Sequence, residues 1–528
     1  MATVAESHSP FLPATFFFFF FFPRLLLGLL PVILFLLSRF LLLRNRRPSL
    51  HLPPGPKPWP ILGNLLHVGS MPHVAFSQLS QAHGPLISLR LGAQLVVVAS
   101  SPEAASEILK THDHDLSGRS VPHVSFARDP ELNRDSIAWA THCTDQWRSL
   151  RSLVRAELFT SKALDRHSEA REKQARDMAR FLERRQVGEE VRVRDVAFAY
   201  MFNGLASAYV SRELVQLEGG GGDVERVSGI VREMMELYAA PNVSDLYPSL
   251  GGLDLLGLRK RTEECVAKLR EVWDPLIISR RREVRTSDRP DGDGGRDFLD
   301  ALLDVGFSDE AISYTFVEML AAVSDSTSAS TEWALAELLK NPKTITAARR
   351  ELDGKFPRGH VIKESDLPDL PYLCACVKET LRLHPPAPLL LPRRAARDCH
   401  VMGYTVPEGA QVFVNVWAIG RDPRYWEDAS SFKPERFIMA GGGGREHDVD
   451  YKGSNFEFLP FGSGRRMCSG MPMAIRMIQL AVATLVHGFE WSMPEGAAAA
   501  VEEMGMEERY GVTLLKLHPL VLIPTPRV

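Results

Sequence analysis

Cys468 stands in "PFGSGRRMCSGMPMAIRMIQL", Pro460 to Leu480, between a loop rich in glycine and arginine and a run with helical apolar spacing. A thiolate is a metal ligand, and its charge needs stabilising in a dry interior. Met471 to His487 contains no proline after Pro472, so it reads as a helix. That places the sulfur near a helix N-terminus, where the dipole and free N–H groups favour a negative ligand. Gly462, Gly464 and Gly470 allow the backbone to fold tightly beneath the sulfur. Arg466 adds a positive charge suited to a carboxylate. A phosphate-cradling loop and a buried structural thiol are the competing readings. Against the first, Gly462-Ser463-Gly464 lacks the third glycine of the dinucleotide fingerprint, and no P-loop lysine followed by Ser or Thr appears.

The elements that must position this loop are mainly helical. Phe307 to Asn341 reads as one very long helix, with "TEWALAELLK" as its amphipathic second half. A second helix runs up to His384, where Pro385 and Pro386 stop it. Short strand-like runs, "LISLRLG" and "QLVVVAS", precede this helical body. The glycine-rich segments at 219–222, 289–295 and 441–444 have the composition of surface insertions within one domain.

The N-terminus is of a different kind. Leu25 to Leu43 is almost wholly apolar and has about the length of a bilayer span, roughly 20 residues. Arg44, Arg46 and Arg47 follow directly, so the positive-inside rule places the rest of the chain in the cytosol. Residues 1–47 are thus expected to be a signal anchor with a basic stop, 48–64 a proline-rich hinge, and 65–528 a single domain. The formal net charge of −3 carries no nucleic-acid signature. Six cysteines in 528 residues form neither a disulfide ladder nor a paired zinc pattern, which fits a reducing cytosol.

In its cysteine loop the chain resembles the cytochrome P-450 family of haem-thiolate monooxygenases, matching the signature at Phe461, Gly464, Arg466, Cys468 and Gly470. The resemblance implies a mainly α fold with a small β region, with Cys468 as the proximal ligand of haem b and Phe461 against the sulfur. "KETLR" and "FKPERF" resemble the family's buried Glu-Arg-Arg network, here Glu379, Arg382 and Arg436. "DQWRSLRSL" supplies Trp147 and Arg151, and "LLLPRRA" supplies Arg393, where the family contacts haem propionates. The text between these motifs is similar to the plant microsomal A-type clan, and within it most like terpenoid hydroxylases. The resemblance implies an endoplasmic-reticulum enzyme that hydroxylates a hydrophobic small molecule, with electrons from NADPH through NADPH-cytochrome P-450 reductase. The chain has no dinucleotide fingerprint, so NADPH is expected to bind that partner.

The long helix departs from the family pattern. Where members carry a small residue, glycine, any residue, an acid and threonine, this chain reads Ala322, Val323, Ser324, Asp325 and Ser326, with Thr327 next. Proton delivery needs an acid and a hydroxyl, so Asp325, Ser326 and Thr327 are the candidate catalytic residues. Val323 introduces bulk where the family opens a groove. Ala322, Val323, Leu389 and Val512 are expected in the substrate pocket, with the loop Ser120–Trp139 above them. Two further readings remain open: a haem-thiolate isomerase or lyase that does not use dioxygen, and a haem-binding protein without turnover.

Overall fold

A computed structural model describes residues 50–185, 188–217, 222–286, 296–438, 449–494 and 504–527. The expected membrane helix with its basic stop and the glycine runs at 219–221, 289–295 and 441–444 lie outside these residues. Pro53 to Val528 forms a compact unit.

Its axis is the helix Asp309–Lys340. Ser308 caps the first turn by accepting from the Ala311 N–H, and Asp309 and Glu310 complement the positive end of the dipole. The helix ends at Asn341, because Pro342 opens the next helix and leaves the residue before it in a non-helical conformation. Most of its length is buried, packed on Val193–Val210, Leu258–Thr286 and Met471–Gly488. An aromatic cluster of Tyr209, Trp273 and Phe316, with Phe298 from the helix Phe298–Val305, fills the junction of three of these helices; Tyr209 and Phe316 stack and the other rings meet tilted or edge-on. Met471–Gly488 is the helix among the described residues long and apolar enough to cross a membrane, and it is a core helix.

The β region is small and lies to one side. Leu86–Leu91 and Gln94–Ala99 form an antiparallel hairpin, Gln411–Val414 runs parallel to its second strand, and Arg393–Arg394 then Gly118–Arg119 complete five strands. In the last pairing Arg119 lies opposite Arg393, and Gly118 opposite Arg394. A Cβ on Gly118 would sit 2.6 Å from the Arg394 carbonyl oxygen, so the close approach requires glycine there. The proline-rich segment follows the sheet edge: the Ser88 N–H and hydroxyl donate to the carbonyls of Pro54 and Pro53.

The C-terminal strands Glu508–Arg509 and Leu515–Lys516 hold the turn that carries Val512. Glu508 anchors them. It accepts hydrogen bonds from His73, His384, Trp417 and Arg421, while the other ring nitrogen of His384 meets Glu337 at 2.7 Å. Burial pushes the Glu508 carboxyl up, but the hydrogen bonds from His384 and His73 and the Arg421 charge outweigh it. The group is held far below its ordinary 4.5. A depressed carboxylate contributes stability that is fully present above its unfolded value and is lost as the pH falls below it. Acid denaturation of the wild type is therefore expected to draw on Glu508 below about pH 4.5. Glu508→Gln should be less stable at neutral pH and show a flatter stability profile below pH 4.5, measured by urea titration across the range.

Candidate active site

The cysteine loop forms as its glycines suggest. Gly464 takes φ +72°, and a Cβ there would lie 2.3 Å from the Leu109 carbonyl oxygen and 2.5 Å from Asp113. A side chain would be strained by the backbone angle and would collide with both groups. The Cys468 N–H donates to the Phe461 carbonyl at 3.0 Å, closing the loop, and the helix begins at Met471. Cys468 lines a cavity and is exposed to that space. Burial raises the thiol overall, against the opposing pull of the Gly470 N–H, the Arg151 charge and the Met471 N–H. Those two amides and that cation are what a thiolate ligand needs.

Four arginines line the same cavity: Arg119, Arg151, Arg393 and Arg466. Arg466 donates to the carbonyls of Ser117, Ile137 and Ala140 and lies 4.5 Å from the Trp147 ring. Arg151 donates to the Met467 carbonyl, and Arg393 to Asp113 and to the Ser463 carbonyl. Arg119 donates to the carbonyls of Ala138 and Leu391, 2.9 Å each, and among the described residues has no carboxylate hydrogen-bond partner. Burial and the charges of Arg466 and Arg393 lower its pKa. Burial, against the pull of Cys143 and helped by Arg393 and Arg151, pushes Arg466 down to about 10. One carboxylate, Asp113, faces this cationic group from the loop side, so a ligand carrying negative charge would relieve it. An open thiol beside an excess of buried guanidinium groups fits a haem with its two propionates.

Most of the residues expected from the sequence meet here. Phe461, Arg466, Cys468, Gly470, Arg151 and Arg393 line the cavity on one side, and Ala322, Val323, Ser326, Thr327 and Val512 on the other. Trp147 sits behind the wall, its indole N–H donating to the Ile137 carbonyl at 3.0 Å. Leu389, expected in the pocket, instead packs in the sheet core with Phe76, Ile87 and Val96. The cavity wall at that point is Leu390 and Leu391. Leu390 takes a left-handed φ of 53°, and the register of "PLLL" shows no such turn. Asp325 is also placed away from the cavity wall. One of its oxygens accepts from Arg194 at 2.5 Å, and the other is buried without a partner. Arg194 is 131 residues away in the sequence, so spacing gave no sign of this pair.

Ser326 donates to the Ala322 carbonyl at 2.7 Å, and Thr327 donates to the Val323 carbonyl. Both residues line the cavity, and each hydroxyl oxygen keeps acceptor capacity beside the bond it donates. Replacing Ser326 by Ala should lower product formed per NADPH consumed several-fold while leaving haem content unchanged. Simultaneous measurement of NADPH loss, hydrogen peroxide and product checks this.

Glu379, Arg382 and Arg436 form the buried network expected of them. Arg382 donates twice to Glu379 at 2.7 Å, and Arg436 donates to the same carboxylate at 3.0 Å. Arg119, Glu318 and Tyr238 were not foreseen. Arg119 directly precedes the loop singled out from the sequence, and its pairing with Arg393 is the property that matters. Among the described residues no group of His, Cys, Asp and Glu could hold a metal ion by itself. Burial raises the thiols of Cys374 and Cys399 to about 12 and about 11.

A single open thiol at a helix start, under a guanidinium cluster and at the floor of an apolar cavity, defines a haem-thiolate protein. A model of the family described as cytochrome P450 matches residues 53–516, and the chain belongs to that family. It is 45% identical over 489 residues to a probable (S)-N-methylcoclaurine 3′-hydroxylase isozyme 2 of Coptis japonica, covering 93% of this chain and 96% of that protein. It is 41% identical to corytuberine synthase of the same plant, covering 95% and 99%. It is 40% identical to flavonoid 3′-monooxygenase CYP75B3 of Oryza sativa subsp. japonica, covering 92% of each. The protein is a plant cytochrome P450 monooxygenase that uses haem b, with NADPH supplying electrons through a reductase. Bound haem supplies iron redox chemistry; the residues described above hold it and shape the space beside it.

Proposed function

We propose that this enzyme hydroxylates an aromatic plant metabolite of the alkaloid type, using Cys468 as the iron ligand and Arg119, Arg151, Arg393 and Arg466 for the propionates. The observation that carries this reading is the cavity wall beyond Cys468. Phe126, Trp139 and Tyr238 present ring surfaces, and Met234, Met235 and Met319 present soft, adaptable ones. The likeness to proteins named as N-methylcoclaurine hydroxylases supports an aromatic substrate over the terpenoid suggested by sequence. Ser326 and Thr327 hold water beside the reacting centre, and Asp325 acts on it from behind the helix through its Arg194 pair. Residues 1–47 anchor the enzyme in the endoplasmic reticulum, residues 48–64 connect the anchor, and residues 65–528 face the cytosol. The electron donor is the membrane-bound NADPH-cytochrome P450 reductase.

The test is reconstitution of the full chain with a plant reductase under isotopically heavy dioxygen. The panel holds benzylisoquinoline alkaloids, flavonoids and monoterpenols. A heavy-labelled, ring-hydroxylated alkaloid formed only with NADPH is the expected result. Labelled product from the terpenols alone would overturn the substrate class. Product without label or NADPH would make this chain a haem-thiolate isomerase or lyase. Failure of every substrate, with NADPH also unconsumed, would favour a haem-binding protein without turnover.

A further inference from the structure

The apolar side of the cavity contains one carboxylate among the described residues, Glu318. It lies on the long helix one turn before Ala322, with its residue only 7% exposed. A charge so placed is costly unless it is paired and hydrogen-bonded. The loop above provides part of what is needed. The Ser136 hydroxyl donates to Glu318 at 3.1 Å, the Ile137 N–H at 3.3 Å, and the Ala138 N–H closes a third bond. A carboxylate has about four acceptor positions, so these three donors leave capacity for one more. Among the described residues no basic side chain forms an ion pair with Glu318. Burial pushes its carboxyl up to about 7, against the three loop donors and the more distant Arg466 charge.

The surroundings are those of a cation site. Phe126, Trp139 and Tyr238 line the same cavity, and the rings of Trp139 and Tyr238 lie 5.9 Å apart. Aromatic faces around a carboxylate attract an alkylated ammonium group better than they attract a neutral ligand. The Tyr238 hydroxyl is an independent sign. It is buried without a hydrogen-bond partner of standard geometry, and burial pushes its pKa up against a weaker pull from the nearby Ser125. Buried polar groups are normally partnered, so an unpartnered one in a cavity wall has room for a ligand group.

We propose that Glu318 is the specificity-determining residue of this monooxygenase, taking the protonated nitrogen of an aromatic amine through its remaining lone pair. Tyr238 serves a polar group elsewhere on the same ligand. This rests on the substrate cavity proposed above and narrows its occupant to a cation. The carboxylate also fixes loop residues 136–138, so it sets the position of the cavity roof as well as its charge. The same strip of backbone accepts from Arg119, Arg466 and Trp147, which keeps the cation site at a fixed distance from the cofactor side.

Calorimetric titration of the haem-loaded full chain tests the assignment. The ligands are N-methylcoclaurine, protonated at neutral pH, and its N-acyl counterpart, which lacks a basic nitrogen. In the wild type the cation should bind about tenfold or more tighter, the scale of one hydrogen bond to a charged group. Glu318→Gln should bring the ratio to near one. Glu318→Asp, which keeps the charge but withdraws it by one methylene, should lower the ratio several-fold. A structural role alone would weaken both ligands equally and leave the ratio intact. A wild-type ratio near one, or a ratio unchanged in both variants, would overturn the proposal. Should the Gln protein fail to fold, the wild-type and Asp ratios still decide it. Because binding is read apart from turnover, a protein that prefers the cation yet forms no oxygenated product would sink the proposed function and leave Glu318 standing. A ring-hydroxylated alkaloid formed with NADPH by a protein that shows no preference for the cation would do the reverse.

Discussion

Cys468→Ala is expected to yield a folded protein that forms no NADPH-dependent product. Its spectrum when reduced under carbon monoxide should lack the thiolate-ligated band. The loop does not depend on the thiol for its shape. The Cys468 N–H to Phe461, Arg151 to Met467 and Arg466 to three carbonyls all involve other atoms. Circular dichroism of the variant should match the wild type, separating loss of the ligand from loss of fold. Cys468→Ser should behave similarly at neutral pH, because a serine hydroxyl placed between the Gly470 and Met471 amides stays protonated there. An Ala variant that kept oxygenation would remove Cys468 from the centre of the chemistry.

Arg382→Leu should fail differently, by loss of the fold. Arg382 is fully buried and donates to both oxygens of Glu379 and to the carbonyls of Gly420, Ala429 and Ser431. Its removal takes the donor from the Gly420 and Ala429 carbonyls, leaves Ser431 with only a 3.4 Å bond from Arg436, and leaves Glu379 with the Arg436 guanidinium and the Lys433 N–H. Breaking a buried pair by deleting one partner costs about 3–5 kcal/mol, a large share of the stability of an ordinary domain. The expected outcome is protein recovered without haem or lost to aggregation, measured as haem per polypeptide and as the urea midpoint. Arg436→Leu should cost less, since Arg436 lies at the edge of the network and its other contacts are carbonyls near the surface. Equal losses in the two variants would contradict this ranking.

These two sites were legible in the sequence because each is a local word. A cysteine between glycines and a helix, or a Glu and Arg three apart on one helical face, brings its partners within a turn or two. Helix boundaries were readable for the same reason. The long helix was expected from Phe307 to Asn341 and runs Asp309–Lys340, and the helix expected to stop at His384 ends at Leu383. Prolines and caps act on their immediate neighbours. Glu318, Arg119 and the Asp325–Arg194 pair were not legible, because their meaning lies in contacts made by loops and strands far along the chain. Glu318 meets residues 180 to 182 positions away, and Arg119 owes its place to a two-residue strand pairing with Arg393. Leu389 shows a finer limit: a single left-handed residue after it exchanges which leucine faces the cavity.

Six hydroxyls of the long helix follow a common rule, while Ser313 donates to Asp274 and the buried Ser324 hydroxyl finds no partner among the described residues. Thr315, Ser326, Thr327, Ser328, Ser330 and Thr331 each donate to the carbonyl four residues earlier. A helix so rich in serine and threonine can then be buried against apolar neighbours, because its donors are folded back upon its own backbone. For packing it behaves as though it were built of alanine and valine. Chemically it is a row of concealed donors: rotation about one side-chain bond would release a hydroxyl from its carbonyl and turn it outward. Where the row borders the cavity, at Ser326 and Thr327, such a rotation would present a hydrogen-bond donor to whatever occupies that space.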